Sequence, residues 1–261
     1  MYPNETHTFR TPAQRSWARV QKLAIVRRER CALIAFVALL VAAIVPAGAI
    51  QVPDTIPERT RPCTACHGKE GRATREGYFP RIAGKPAGYL YNQLVNFREG
   101  RRANPAMTYL VQHLSDDYLL EMAQYFGSLD LPYPPAAAAR GSPDLARGEA
   151  LVKRGDPARQ LPSCVQCHGE TLTGVLPAIP GLLGLPRDYL IGEFGAWRTG
   201  QRRAASPDCM AEVARRMSSD DIGAVSTWLA AQPLPASAKP ATSLPQRLPI
   251  RCGSGLEPVT R

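Results

Sequence analysis

The 261-residue sequence lacks several patterns that mark large classes of protein. It has no glycine-rich phosphate loop and no stripe of interleaved basic and aromatic residues, which argues against nucleotide and nucleic-acid binding. No run of alternating apolar and polar residues is convincing as a strand. The 25 prolines exclude a long uninterrupted helix or coiled coil. With 44% apolar and 21% charged residues, the composition also excludes wholesale disorder, so we expect folded domains.

The formal net charge of +10 is concentrated at the amino end. Seven basic and two acidic residues precede residue 32, so the rest of the chain carries a net charge of only +5. The basic excess is therefore mainly a property of the leader, and no strongly basic docking face is implied.

Residues 32–50 carry no charge and directly follow Arg27, Arg28 and Arg30. This pattern predicts that residues 1–50 form a basic leader with a translocation signal. Two outcomes remain open: cleavage near Ala49, or retention of residues 32–50 as a membrane anchor of about 28 Å. Both deliver the remainder of the chain to the periplasm, an oxidising compartment.

The exported part contains an internal repeat of about one hundred residues. Its landmarks include Pro80, Tyr89 and Arg98, which recur 100 positions later with the same residue types. The repeat predicts two homologous lobes with a linker and a tail: residues 51–131, a Pro/Ala linker at 132–141, residues 142–232, and a Pro-rich tail at 233–261.

Both lobes are predicted to be helical. In lobe one, Leu90, Leu94 and Phe97 repeat at the spacing of one helix face, and lobe two has equivalents. Ser115 and Ser218 are predicted to cap the last helix of each lobe, since acidic residues follow them. Each lobe is small, so something large must fill its centre.

Each lobe contains one Cys-x-x-Cys-His motif: Cys63, Cys66 and His67, then Cys164, Cys167 and His168. Two thiols three positions apart on a helical turn can form thioethers to one haem, and the adjoining histidine can bind its iron. A thioredoxin-like dithiol would need no histidine. A four-thiolate zinc site would leave two repeated histidines unexplained. We therefore predict two covalent haem c groups.

The second axial ligand of each iron is predicted to be Met107 and Met210, respectively. Each lies about 40 residues after its histidine, in a Pro-containing loop, eight positions before the serine cap. An isolated methionine would usually be core packing. His113 is an alternative to Met107, but its counterpart Arg216 cannot bind iron, so His113 is expected on the surface.

On these motifs, both lobes resemble class I cytochrome c domains, and the tandem resembles the dihaem cytochrome c4 family over residues 60–131 and 142–232. The resemblance implies an all-α fold of two tandem class I cytochrome c domains. It also implies that the carbonyls of Pro80 and Pro180 accept hydrogen bonds from Nδ1 of the two motif histidines. Lobe one departs from the family, because no helix is apparent before Cys63. The membrane segment or lobe two is a candidate to cover that face.

Histidine and methionine together fill both axial positions, so neither iron has an open site for a substrate. We therefore predict an electron carrier of the respiratory chain, not an enzyme. The expected partners are a membrane-bound donor complex and a terminal oxidase or similar acceptor, with membrane association and no nucleic acid. The alternatives are a haem-bearing subunit of a membrane dehydrogenase or oxidase and, less favoured, a dihaem peroxidase.

Two cysteines of the exported part remain, Cys209 and Cys252. In an oxidising compartment they are predicted to form a disulfide that ties the tail to the segment bearing Met210. The repeated pair Arg102 and Arg202 is a candidate for partner docking or for binding haem propionates.

Overall fold

The computed structural model describes residues 27, 28, 30, 33–36, 52–74, 78–133, 144–235 and 237–254. It divides the chain into two compact units, Met1–Val52 and Pro53–Arg261, and the helices and strands of both predicted lobes belong to the second. Most of the predicted export segment, with its cleavage site near Ala49, lies outside the described residues, as does most of the linker. Within the part of the chain that is described, no helix is long and apolar enough to cross a membrane.

The described part of lobe one is helical. Its helices are α1 (Ile56–Arg59), α2 (Arg61–His67), α3 (Ala87–Arg98), α4 (Pro105–Val111) and α5 (Asp116–Ser128). Helices α3 and α5 pack against each other. The serine cap predicted for the last helix is confirmed, because Ser115 Oγ accepts a hydrogen bond from the backbone N–H of Tyr118 at 3.3 Å.

Lobe two repeats this plan with additions. Its helices are α6 (Asp144–Arg154), α7 (Val165–His168), α8 (Arg187–Arg198), α9 (Cys209–Arg216) and α10 (Ser219–Ala231). Ser218 caps α10 as predicted, and the Asp221 side chain accepts from the Ser218 backbone N–H, which completes a capping box. Two short antiparallel strands, β1 (Gly174–Val175) and β2 (Ile179–Pro180), were not predicted, because two residues are too few to show a period.

The apolar cores of the two lobes are separate. In lobe one, Phe97, Val111 and Leu119 are buried together. In lobe two, one larger cluster joins α6, α8, α9 and α10 around Val152, Phe194 and Leu229. The predominantly helical fold is therefore confirmed, with each lobe packed around its own apolar centre.

The start of lobe one, where the sequence shows no helix before Cys63, contains a short helix. Helix α1 is only four residues long, with Pro57 in its first turn, and it packs on α5. Ile56 contacts the apolar cluster of lobe one. A short helix is thus present before Cys63, where the sequence showed none.

The described part of the Pro-rich tail packs on lobe two and also reaches lobe one, where Asn92 donates to the Ser254 carbonyl and Lys239 pairs with Asp130. Ala241 pairs with β1, with its N–H donating to the Gly174 carbonyl and its own carbonyl accepting from Leu176. The predicted disulfide between Cys209 and Cys252 is present. The tail is thereby fixed to the amino end of α9.

Candidate functional site

The Cys-x-x-Cys-His motif of lobe one lies on α2. Cys63 and Cys66 are three positions apart, so their side chains project from neighbouring positions of one helix face. His67 is the last residue of the helix, and its ring is buried. Its Nδ1 lies 2.8 Å from the carbonyl oxygen of Pro80. Since a carbonyl can only accept, Nδ1 carries the proton and Nε2 is left as the free ring nitrogen.

Lobe two has the same arrangement with a shorter helix. Cys164 immediately precedes α7, which contains Cys167 and ends at His168. The Nδ1 of His168 lies 2.7 Å from the carbonyl oxygen of Pro180, the last residue of β2. Both hydrogen bonds that the family resemblance implied are therefore present. Each fixes the ring orientation and leaves Nε2 available to a metal.

The surroundings of both histidines favour the neutral imidazole, which is the form that binds metal. Burial lowers the pKa of His67 and of His168. The proline carbonyls oppose this shift, whereas the positive charges of Arg102 and Lys85, respectively, add to it. Each ring is thus held neutral, oriented and shielded from water.

Cys63, Cys164 and Cys167 are poor thiolates in this setting. Burial raises the pKa of Cys63, that of Cys164 to about 12 and that of Cys167 to about 11. Thiolate nucleophiles and thiolate metal ligands need the opposite shift. Nor does any group of three or more His, Cys, Asp or Glu side chains suited to a metal ion occur in the described ranges. The four cysteines therefore do not form one zinc site there.

Met107 faces the same apolar cluster as Cys63. The sequence predicted a loop for Met107, but it lies in the first turn of α4. Asn104 caps that helix, and its side chain accepts from the Met107 N–H at 3.1 Å. Met107 and Cys63 both pack against the cluster of Phe97, Val111, Leu119 and Met122, so the two side chains lie at one apolar centre.

Met210 occupies the equivalent place in lobe two. It lies in the first turn of α9, which Asp208 caps through the N–H of Ala211. Met210 and Cys164 both pack against the apolar cluster of lobe two. Its neighbour Cys209 forms the disulfide to Cys252, so the methionine segment is covalently tied to the tail.

The alternative ligand His113 lies where the sequence predicts it. His113 is exposed and lies outside the apolar cluster that Met107 contacts. Met122 and Met217 are buried core residues.

The residues present fit a covalent haem in each lobe. In each, a thioether side chain and a motif cysteine border one apolar cluster, and a buried histidine ends the motif helix. Lobe two shows a further sign: Trp197 Nε1 is buried and has no hydrogen-bond partner among the described residues. A buried donor needs an acceptor, and a carboxylate of a bound haem would supply one.

Sequence reasoning missed a polar network between the lobes. Arg102 and Arg202 form an antiparallel backbone bridge, and both side chains are largely buried. Arg102 donates to Glu193 at 2.6 Å, and Arg202 forms an ion pair with the same carboxylate. Gln93 Oε1 accepts from Arg102 at 3.0 Å and from Arg202 at 3.1 Å. The only signal in the sequence was that the two arginines recur at the offset of the repeat.

The network is nearly symmetric but carries one acid. Gln93 and Glu193 are repeat counterparts, so two buried guanidinium groups share a single carboxylate. Each arginine also lies over an aromatic ring of its own lobe: the guanidinium carbon of Arg102 is 4.7 Å from the ring centre of Phe97, and that of Arg202 is 3.8 Å from Trp197. The arginines at the lobe interface therefore contact an aromatic residue of each apolar cluster.

No protein-family model matches the chain, but curated relatives do. The thiosulfate dehydrogenase electron acceptor of Thiomonas intermedia is 37% identical over 178 residues, which cover 68% of this chain and 82% of the relative. Cytochrome c4 of Thiocapsa roseopersicina is 35% identical over 171 residues, covering 64% of this chain and 85% of the relative. The cytochrome c4 of Pseudomonas aeruginosa is 32% identical over 170 residues.

Solved structures agree with these relatives. Reduced cytochrome c4 from Pseudomonas stutzeri superposes with a TM-score of 0.59 at 28% identity, over 67% of this chain and 95% of that one. Thiosulfate dehydrogenase TsdBA from Marichromatium purpuratum superposes with the same TM-score at 34% identity, over 67% of this chain but only 37% of the other.

Proposed function

The chain belongs to the dihaem cytochrome c4 family of electron-transfer proteins, and from this membership we propose that each lobe binds one covalent haem c. In lobe one, Cys63 and Cys66 would form the two thioethers, with His67 and Met107 as axial ligands. In lobe two, the corresponding residues are Cys164 and Cys167, then His168 and Met210. The observation that carries this assignment is that motif cysteine and methionine border one apolar cluster in each lobe, beside a histidine fixed by a proline carbonyl.

A bound haem supplies one-electron redox chemistry, and the chain supplies its rigidity. The proline carbonyls orient the histidines, while the helix caps of Asn104 and Asp208 fix the methionine segments. Buried apolar side chains surround these segments in both lobes. A histidine and a methionine together would leave neither iron an open position for a substrate, which suits a carrier better than a catalyst.

For the partners, we propose an exported dehydrogenase as electron donor and a terminal oxidase or similar acceptor. Relatives from two organisms, 37% and 38% identical, are named thiosulfate dehydrogenase electron acceptor, which makes a thiosulfate dehydrogenase the first donor to test. The periplasm is the proposed location, because the uncharged residues 32–50 follow a basic flank.

The haem assignment is tested on the full chain matured with haem. We expect two haems per chain in a pyridine haemochrome assay, and a near-infrared methionine-to-Fe(III) charge-transfer band equivalent to two haems. The M107H and M210H variants should each remove half of that band while both haems stay attached. A charge-transfer band equivalent to only one haem in the wild-type protein would instead favour the dihaem peroxidase alternative.

The carrier role is tested by stopped-flow mixing with a thiosulfate dehydrogenase and thiosulfate. We expect both haems to be reduced only when enzyme and substrate are both present. Amino-terminal sequencing of soluble and membrane fractions then separates a cleaved carrier from an anchored one. Isolation only in a detergent-solubilised complex with a dehydrogenase or oxidase would favour the subunit alternative.

A further inference from the structure

Lys85 is a buried lysine at the border between the lobes. The residue belongs to lobe one and immediately precedes Pro86, the residue before α3. Only 5% of its surface is exposed. Its Nζ donates to the carbonyl oxygen of Gly181 in lobe two at 3.0 Å. Gly181 directly follows Pro180, whose carbonyl accepts the hydrogen bond from His168. A cation of one lobe is therefore bonded to the segment that orients the proposed iron ligand of the other.

No carboxylate compensates this charge. Within the described ranges, Lys85 forms no salt bridge, and the charged group that acts on it most strongly is Arg81, which is also positive. Burial lowers the pKa of Lys85 to about 8, and Arg81 adds to that shift. Gly181 and Pro180 are consecutive, so the charge of Lys85 lies one residue from the carbonyl that orients His168.

The two lobes pack closely beside Lys85. The N–H of Gly88 donates to the Pro177 carbonyl at 3.1 Å, and a Cβ at Gly88 would lie 2.7 Å from that oxygen. The charge of a lysine buried to this extent is weakly screened by solvent. A lobe of this fold does not need a charge at this position, because the repeat counterpart of Lys85 in lobe two is Leu185, which packs on the apolar core.

Resting on the proposed function, we propose that the buried positive charge of Lys85 raises the reduction potential of the lobe-two haem. Gaining one electron removes one positive charge from that haem, and a nearby unpaired cation favours the state with less positive charge. Since Lys85 has no charged counterpart at Leu185, the effect falls on one haem of the pair. An electron entering the protein is thereby biased towards lobe two.

The test compares variants of Lys85 in the full haem-loaded chain at mildly acidic pH, where the lysine is protonated. Both midpoint potentials are measured by spectroelectrochemical titration, and the M107H background identifies the lobe-two haem as the remaining methionine-ligated one. For K85M we expect about a tenfold fall in the reduced-to-oxidised ratio of that haem at fixed potential, equivalent to about 59 mV for one electron. K85R, which keeps the charge, should retain most of the wild-type potential.

K85Q separates charge from hydrogen bonding, because an amide can still donate to Gly181 but carries no charge. We expect K85Q to lower the lobe-two potential as K85M does. The matched control is K69M, which removes an exposed lysine two positions after His67 and should leave both potentials nearly unchanged, since water screens that charge.

Unchanged lobe-two potentials in K85M and K85Q would overturn the proposal, as would equal shifts of both haems. A wild-type potential in K85Q alone would also overturn it, because the hydrogen bond and not the charge would then be responsible. Failure of the proposed function has a different signature: wild-type protein would carry fewer than two haems, whatever residue occupies position 85.

Discussion

The amino-terminal end of each lobe packs on that lobe's last helix, and the two lobes use very different lengths of chain to do so. Lobe two uses the eleven-residue α6, which lies close against α10. Lobe one uses the four-residue α1 against α5. Both lobes have the same candidate ligands, so this arrangement of residues does not require an amino-terminal helix of one particular length.

The third residue of the last helix also differs between the lobes, and again lobe two has the more extensive contacts. In lobe two, Asp221 is fully buried and accepts from Arg147 at 2.9 Å and from Arg159 at 2.6 Å. Its repeat counterpart in lobe one is Tyr118, with the guanidinium of Arg59 at 5.8 Å from the ring centre. Lobe two also has the disulfide and the tail. We therefore expect lobe two to be the more strongly restrained unit, and the following variants weaken its extra restraints one at a time.

The largest effect is expected from the disulfide. In C252S, the 43-residue closure between Cys209 and Cys252 is lost, which costs about 4 kcal/mol in the chain-entropy model. The free energy of unfolding of lobe two is measured in guanidinium through the fluorescence of Trp197 and Trp228, which both lie in lobe two and are the two tryptophans after residue 50. Wild-type protein treated with reductant should match C252S. An unchanged unfolding midpoint in both samples would contradict a stabilising role for the bridge.

Next in size is the close contact between α6 and α10. A Cβ at Gly148 would lie 2.3 Å from the carbonyl oxygen of Ala224 and 2.7 Å from Trp228 Cβ, so any side chain there forces the helices apart. We expect G148V to destabilise lobe two by about 3 kcal/mol and to leave the methionine band of lobe one intact. The matched control is G192A, at a helical glycine with open space around its Cβ position, which should be neutral or slightly stabilising. Equal stability of both variants would contradict the close-packing argument.

Much of the candidate site could be predicted from residue types at fixed spacing. The two motifs, the methionines and the serine caps are local patterns with a direct chemical meaning, and Ser115 and Ser218 are found in those roles. The proline carbonyls came from the family resemblance. The pairing of Cys209 with Cys252 followed from the compartment and from an even remainder of cysteines.

What the sequence could not provide is which surfaces meet. Tyr89, Tyr189 and Glu193 lie on helices whose periodicity is satisfied inside their own lobes, so nothing local indicates that they meet across the interface. Lys85 would ordinarily be expected on the surface. Helix α1 was missed because four residues beginning beside Pro57 are too few to show a helical period.

The smallest expected effect on stability comes from Asp221, the buried partner of Ser218 in the capping box of α10. Burial alone would raise the pKa of Asp221, but hydrogen bonds from Arg159, Ser218 and Arg147 lower it to about 2, compared with an ordinary value of 3.8. Because the folded state holds the carboxylate ionised, its contribution to stability is fully present above pH 3.8 and is lost as the pH falls through 2. We expect D221N to cost lobe two about 2 kcal/mol at neutral pH and to lessen its acid sensitivity.

The comparison with lobe one makes this prediction specific. Y118F alters the equivalent helix position without touching a buried charge, so its unfolding free energy should change by no more than about 0.5 kcal/mol. If D221N were as mild as Y118F, the arginines around Asp221 would be surface ion pairs of little value, and the greater restraint of lobe two would rest on Gly148 and the disulfide alone. A clear loss of unfolding free energy in D221N, with no change in Y118F, would instead show that part of the greater restraint of lobe two lies at the amino end of α10.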